Sequence, residues 1–368
     1  MMNVSPLAGI CLSALGVVIL FILYAMIRGS KGLRAYIIAR VLLTIPMVFV
    51  LVSLIFFVMR VIPGDPVLSE LGPRGGEEAR ERLRHQLGLD QPMVVQYVRY
   101  LSGVVRLDFG ESMVFGNRPV IDELSERLPA TLELVVPAML FAVAVGVLTG
   151  TFAAHHRKEA SDYGLRLFSI AAYSIPVFWL GLLLQVTFGI MLGLAPIAGR
   201  INAVVNTTLQ RRTNLLIVDS ILTGNWPALW SALHHLILPA LTLGLILFGV
   251  FLRLSRINVI ETLVQDYILA ARARGIHERV VVYRHALSNA LIPIVTLIGL
   301  QFSVLLAGAV LTETTFSWPG MGLYLVERIG QRDYTAVQGA ITVFALSVAV
   351  VSLLTDIIYA FLDPRVRY

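Results

Sequence analysis

A chain of 368 residues that is 57% hydrophobic and 14% charged, with a mean hydropathy of +0.80, has too little polar surface to enclose a water-soluble core. Its formal net charge of +6 does not point to nucleic acid, because the basic residues fall between long apolar runs and not along one groove-sized face. A single cysteine, Cys11, excludes an internal disulfide and a cysteine zinc site.

Crossing about 30 Å of hydrocarbon takes roughly 20 mostly apolar residues. Seven stretches are long enough: 7–27, 41–62, 132–154, 165–193, 235–254, 289–312 and 336–362. Pro46, Pro137, Gly146, Pro176 and Pro239 lie within them, which bilayer helices accept where neighbours satisfy the freed backbone groups. The expected fold is therefore all-α and polytopic.

The first stretch precedes its positive charges, the reverse of a secretory signal, so residues 1–35 read as a retained anchor. Segment 28–40 carries Arg28, Lys31, Arg34 and Arg40 with no acid; with 153–166, 253–288 and 363–368 it holds 15 of the 29 Lys and Arg. The positive-inside rule places these segments in the cytoplasm, the amino terminus outside and the carboxyl terminus inside. Segments 63–131, 194–234 and 313–335 then face outward.

The outer segment 63–131 is too long for a simple connection. In "EEARERLRHQLGLDQPMVVQYVRYL" (77–101), Ala79, Leu83 and Leu87 share a helix face, Glu78 and Arg82 form an i,i+4 pair, and Gly88 is a natural stop. Asp90 with Pro92 then predicts the capped start of a second short helix. The pair reads equally as a solvated lid or as a docking platform for an outer partner.

Polar groups at membrane depth are costly unless they face a bundle interior or a watery cavity. Gln185 and Thr187, Gln301 and Ser303, Glu313 and Asp356 are accordingly candidates for a translocation path. The alternatives are a hydrogen bond to a neighbouring helix for Gln301 and Ser303, and a pairing with a nearby arginine for Asp356. Glu313 and Trp318 flank the expected outer mouth, where Trp318 also suits an aromatic belt.

Segment 253–288 contains "YILAARARG" (267–275). Asp266 is expected to cap a helix through Ala270 and Ala271 that ends at Gly275, where a residue without Cβ turns the chain. A second amphipathic stretch, "HERVVVYRHALSNAL" (277–291), leads to Pro293. Small side chains let a partner approach the backbone, and Arg272 and Arg274 can pair with its acids. Such spacing alone more often means helix packing.

Chemistry of its own is not expected of the chain. Its two lysines, Lys31 and Lys158, do not follow a glycine, so there is no P-loop. His277 and Glu278 begin a zincin-like motif that ends in Val281, and no G-x-S-x-G is present. The neighbours His155, His156 and His234, His235 diverge by about 100° on a helix and read as interfacial.

The segment "DYILAARARGIHERVVVYRHALSNALIPIV" (266–295) resembles the cytoplasmic loop of permease subunits of binding-protein-dependent ABC importers, in the dipeptide, oligopeptide and nickel branch. Leu269 stands where the signature has Glu, as is usual in the peptide branch; Ala270, Ala271, Gly275 and Pro293 are in place. The likeness continues in "VIPGDPV" (61–67), "LGLDQP" (87–92), "ERLPATLEL" (126–134), "LILPALTLG" (236–244), "ETTFSWPGMG" (313–322), "RDYTAVQGA" (332–340) and the terminal "DPRVRY". It covers about residues 36–368.

The resemblance implies a six-helix permease core over 36–368, to which 1–35 adds one extra transmembrane helix. It implies a second similar permease subunit, two ATP-binding subunits that hold ATP and Mg, and an extracytoplasmic solute-binding protein. No cofactor is expected on this chain. Asp266, Ala270, Ala271, Arg272, Arg274, Gly275 and Pro293 would couple it to the ATPases. Peptides are the expected cargo, with nickel or another small solute as the alternative. A secondary transporter with Asp356 or Glu313 as proton carrier is the rival class, and it commonly shows inverted repeats that are not evident here.

Overall fold

The computed structural model describes residues 31–61, 67, 76–86, 88–112, 114 and 118–362. The expected span 7–27, Cys11, most of "VIPGDPV" and the terminal "DPRVRY" lie outside these residues.

The regular structure of the described chain is helical: α1 Lys31–Val61, α2 Glu77–Gln86, α3 Met93–Arg106, α4 Val120–His155, α5 Ala160–Ser174, α6 Val177–Leu184, α7 Leu216–Leu222, α8 Trp226–Leu263, α9 Asp266–Ala273, α10 Leu287–Thr315, α11 Met321–Gly330 and α12 Tyr334–Leu362. Extended pairing among the described residues is limited to an isolated bridge between Glu111 and Pro119. Five helices are long and apolar enough to cross a membrane, and α5 with α6 makes a sixth if that bent pair counts as one span.

The bend corrects the expectation of one unbroken helix over 165–193. The two halves meet at 105°. Ile175, ahead of Pro176, is extended at φ −80°, ψ 130°, because the proline ring disfavours helical backbone in the residue before it. Pro176 then opens α6, which loosens into a π-helical turn over Gln185–Met191.

A second correction concerns α4. It starts at Val120, not near 132, and runs for 36 residues. At 1.5 Å per residue that is about 54 Å, well beyond the hydrocarbon thickness, so its first turns belong to the end opposite α9. In the outer segment, Gly88 does stop the chain at φ +65°. Pro92, not Asp90, is the residue ahead of α3; Asp90 instead lies 3.8 Å from His85.

The centre of the bundle is α4 against α8. Gly146 and Gly150, four apart on one face, let the backbones meet: a Cβ at Gly146 would fall 2.7 Å from the Phe251 Cβ, and one at Gly150 2.5 Å from the Leu252 carbonyl oxygen. Without a hydrophobic driving force between helices in lipid, such close approach is what packing there depends on. Ala138, Ala142, Leu243, Leu247 and Phe251 fill the seam, and α10 closes it with Ile294, Leu306 and Ala309. Helix α1 lies along α12 through Leu33, Ile37 and Ala360. It leaves Leu42, Leu43, Phe49, Val50 and Leu54 exposed as an apolar face for lipid. Tyr97 and Tyr100 pin α3 to α1 against Phe56, Tyr100 stacked on its ring with centroids 5.6 Å apart and Tyr97 tilted against it at 5.3 Å.

Candidate functional site: the corner between α8 and α10

Helix α8 ends at Leu263, and after Val264 and Gln265 the chain turns into α9. Gln265, not Asp266, is the cap residue, and no side chain caps the turn; Asp266 is instead the first helical residue. There its charge still complements the amino-terminal dipole. At the other end, the Gly275 amide donates to the Arg272 carbonyl (2.9 Å) and the Ile276 amide to the Ala271 carbonyl (3.3 Å). This paired closure needs a left-handed residue, and Gly275 supplies it at φ +76° with open space where a Cβ would be. His277 then opens the next turn by accepting from the Arg279 amide at Nδ1 (3.2 Å). The turn passes through a π-helical Val281–Ala286 into α10, and Pro293 lies inside that helix.

The signature positions divide into two faces. Ala271 is buried with Ile268, against Ala154 of α4, Val259 of α8 and Ala286 and Ala290 at the start of α10. Ala271 therefore serves the chain's own packing, contrary to its expected exposure to a partner. Ala270, Ala273 and Gly275 face solvent, flanked by the exposed Tyr267, Leu269 and Val280. The result is a low apolar ridge with little side-chain bulk.

The arginines divide as well. Arg272 is held internally: its Nη2 donates to Glu278 Oε1 (2.6 Å) and its Nε to Oε2 (3.1 Å). That hydrogen bonding raises the guanidinium above its ordinary value. Arg272 thus braces the corner and does not stand free for a partner's acid, as expected from sequence. Arg274 and Arg279 are exposed and have no carboxylate within ion-pair distance among the described residues. Tyr267 OH accepts from Asn289 Nδ2 (2.7 Å), tying α9 to α10.

The expected path residues are not gathered in one place. Gln185 donates to the Ile197 carbonyl (2.6 Å) and the Thr315 carbonyl (3.0 Å), so it fastens the π-turn to the end of α10. Ser303 bonds back to Gly299 of its own helix (3.2 Å). Gln301 is half-buried on α10 with no side-chain hydrogen bond among the described residues. Asp356 lies 3.3 Å from Arg40 of α1. Glu313 is fully buried: Thr131 donates to Oε1 (2.6 Å) and the Leu323 amide to Oε2 (2.9 Å). Trp318, 1% exposed, does not sit in an aromatic belt; its indole donates to the Ala130 carbonyl (2.8 Å).

Sequence reading did not anticipate the polar core at that end. Glu133 accepts from Arg200 Nε (2.8 Å) and Nη2 and from the Ile217 amide (2.6 Å). Glu123 accepts from Tyr324 OH (2.7 Å) and Arg328 Nη2 (2.6 Å). Burial, then the bond to Glu123, raises the Tyr324 hydroxyl far above the usual phenol range. A Cβ at Gly320 would run into the Glu313 carboxylate, and one at Gly322 would fall 2.6 Å from the Val310 Cα and 3.0 Å from Glu313 Oε2. The motifs at 126–134 and 313–322 are therefore two halves of one buried network.

No group of three or more potential metal ligands occurs among the described residues. Comparison with known proteins assigns the fold to a family. Residues 33–135 match the profile described as "Binding-prot-dependent transport system membrane comp, N-term", and residues 146–368 match "Binding-protein-dependent transport system inner membrane component". The chain belongs to this family. Among similar inner-membrane components, the di/tripeptide transport system permease protein DppB of Pseudomonas aeruginosa (strain UCBPP-PA14) is 41% identical over 91% of this chain and 99% of its own length. The dipeptide transport system permease protein DppB of Escherichia coli (strain K12) is 40% identical over 90% and 98%. The glutathione transport system permease protein GsiC of the same organism is 37% identical over 90% and 99%. As an inner-membrane component, the chain is a multi-pass membrane protein of a transport system that works with a binding protein.

Proposed function

We infer that this chain is the non-catalytic permease subunit of an ATP-driven importer of di- or oligopeptides, coupled to its ATPases through α9. The observation that carries the reading is the corner itself. An eight-residue helix and the turns that follow it offer Ala270, Ala273, Gly275, Arg274 and Arg279 outward, the two arginines with no carboxylate in ion-pair range among the described residues, while Ile268 and Ala271 seat the helix in a cluster with residues of α4, α8 and α10. A surface of that shape admits a partner close to the backbone and passes its displacement into the bundle. The names of the similar permeases, dipeptide, di/tripeptide and glutathione, support a peptide cargo. The partners in this reading are a second similar permease subunit, two ATP-binding subunits and an outer solute-binding protein. The corner faces the cytoplasm, with the carboxyl terminus on the same side.

A shift of state by ATP requires contacts that differ between the two states, and α9 is where those contacts fall in this scheme. Proton-driven transport is disfavoured, because Asp356 is ion-paired and Glu313 is enclosed by its donors. Reconstitution of the chain with its sister permease, ATPases and binding protein in liposomes tests the reading. Uptake of labelled dipeptide should need ATP and the binding protein. Uptake by this chain alone under a proton gradient would overturn it.

A further inference from the structure

Between α5 and α8, near the end that carries α9, lies a cavity of about 360 Å³ that the transport scheme does not use. Arg166 and Ile170 of α5 line one side, and Leu252, Arg253, Arg256 and Ile257 of α8 line the other. Two features make it more than a basic patch.

The first is charge. Asp162 is 1% exposed and already engaged: Arg256 donates to both its oxygens, at 2.6 and 2.7 Å. Arg166 and Arg253 are exposed and have no carboxylate within 4.0 Å among the described residues. Two guanidinium groups thus line the cavity with no ion-paired carboxylate among the described residues, Arg166 feeling only the more distant charge of Asp162, which Arg256 already holds.

The second is depth. After Arg166 no Asp, Glu, Lys or Arg occurs until Arg200, and before Arg253 none occurs in α8 back to its start at Trp226. Both arginines therefore mark the point at which a helix leaves its apolar run, which is the headgroup level of a bilayer. On the bilayer side of them the walls are Ile170 and Leu252, while Ile257 lies one turn beyond Arg253. Arg166 also lies over the Tyr163 ring, 5.7 Å from its centroid, in the manner of interfacial tyrosines.

We propose that this cavity holds the phosphate of an anionic phospholipid, gripped by Arg166 and Arg253, with the first methylenes of an acyl chain against Ile170 and Leu252. Guanidinium forks match phosphate oxygens two at a time, and the apolar walls favour a lipid over a free anion. The inference needs only insertion in a membrane and stands apart from the assignment of cargo or ATPase coupling.

The test is native mass spectrometry of the full-length chain, purified in detergent with its co-purifying subunits, after addition of phosphatidylglycerol or phosphatidylcholine. The wild type should retain one phosphatidylglycerol in preference to phosphatidylcholine. The double variant Arg166→Gln/Arg253→Gln should lose about thirtyfold in retention, from the usual contribution of two basic groups at a membrane surface. The pair Arg166→Lys/Arg253→Lys, which keeps the charge but not the fork, should fall between the wild type and the Gln pair while still preferring phosphatidylglycerol. Equal retention of the two lipids by the wild type, or unchanged retention by the Gln pair, would overturn the proposal. So would displacement by millimolar inorganic phosphate, which would make this a soluble-anion site, or a crosslink from position 253 to another subunit in place of lipid. Should the Gln pair fail to purify as a single species, the lipid preference of the wild type and the Lys pair decides.

Discussion

Replacing Gly275 separates the two things the corner does. Its backbone is left-handed at φ +76°, and a Cβ there meets no atom within 4 Å. Within the chain the cost of a side chain is thus conformational alone: roughly 1–2 kcal/mol for most residues and less for Asn or Asp, which tolerate that region. Burying Ile268, which seats α9, is worth about 2 kcal/mol by itself, so α9 stays in place in Gly275→Asn and Gly275→Asp. Against a docked ATPase the two variants differ. Both add bulk at the closest approach, but Asp also puts a negative charge beside Arg274 and Arg279, opposite whatever acids they meet. A like-charge contact at such an interface costs on the order of 2 kcal/mol, or about thirtyfold in docking. The assay is binding-protein-stimulated ATP hydrolysis and dipeptide uptake by the reconstituted complex. The Asn variant should fall by a few-fold and the Asp variant by at least about tenfold, each at wild-type yield and assembly. An Asp variant that transports at the wild-type rate would refute the placing of an ATPase on this corner.

Three further outcomes can be checked, two of them set by the packing. Glu133→Gln leaves Arg200 buried without its counter-charge, which typically costs about 3–5 kcal/mol, so the thermal midpoint of the purified protein should drop sharply, whereas Arg118→Gln, which breaks only the half-exposed pair with Glu126, should leave it nearly unchanged. Gly150→Leu drives a side chain into the Leu252 carbonyl and should abolish recovery of monodisperse protein; Gly164→Leu, where nothing lies within 4 Å, should not. Deletion of residues 1–30, outside both matched family segments, should leave peptide uptake within about twofold of the full chain if that stretch is an accessory anchor; loss of assembly would show it to be integral.

How much was legible in the sequence follows the range of the interactions. The apolar runs announce the long helices, because hydrocarbon thickness sets a length that can be counted. The turn at Gly275 was equally plain, since a left-handed closure is a local requirement and glycine meets it cheaply. The break at Ile175 was written in Pro176, but a proline in an apolar run marks a tolerated kink as readily as a 105° turn. The buried ion pairs were not legible. Glu133 meets Arg200 across 67 positions and Glu123 meets Arg328 across 205, and no periodicity links residues so far apart. Ala270 and Ala271 show the same limit at short range: identical neighbours in the chain, one faces solvent and one the core, and only the rotation of α9 about its axis decides which.

On the proposed function, the two ends of the bundle are built for opposite tasks. At the end away from α9, Glu123, Glu133 and Glu313 bind their partners through directional, desolvated hydrogen bonds. Such bonds cannot be sheared gradually, because each broken one leaves a buried group unsatisfied. At the α9 end, the packing beneath the corner rests on the apolar Ala154, Val259, Ile268, Ala271, Ala286 and Ala290, and the directional ties there are fewer: Asn289 to Tyr267, Arg272 to Glu278 and the Arg256–Asp162 pair. Apolar contacts of this kind slide at little cost, and one cluster joins α9 to residues of α4, α8 and the start of α10. In the proposed scheme a push on α9 would be shared by these spanning helices, while the polar end resists displacement. That difference would make the polar end the fulcrum and the corner the long arm, so that a small movement of a docked partner would tilt the helices without unpacking them.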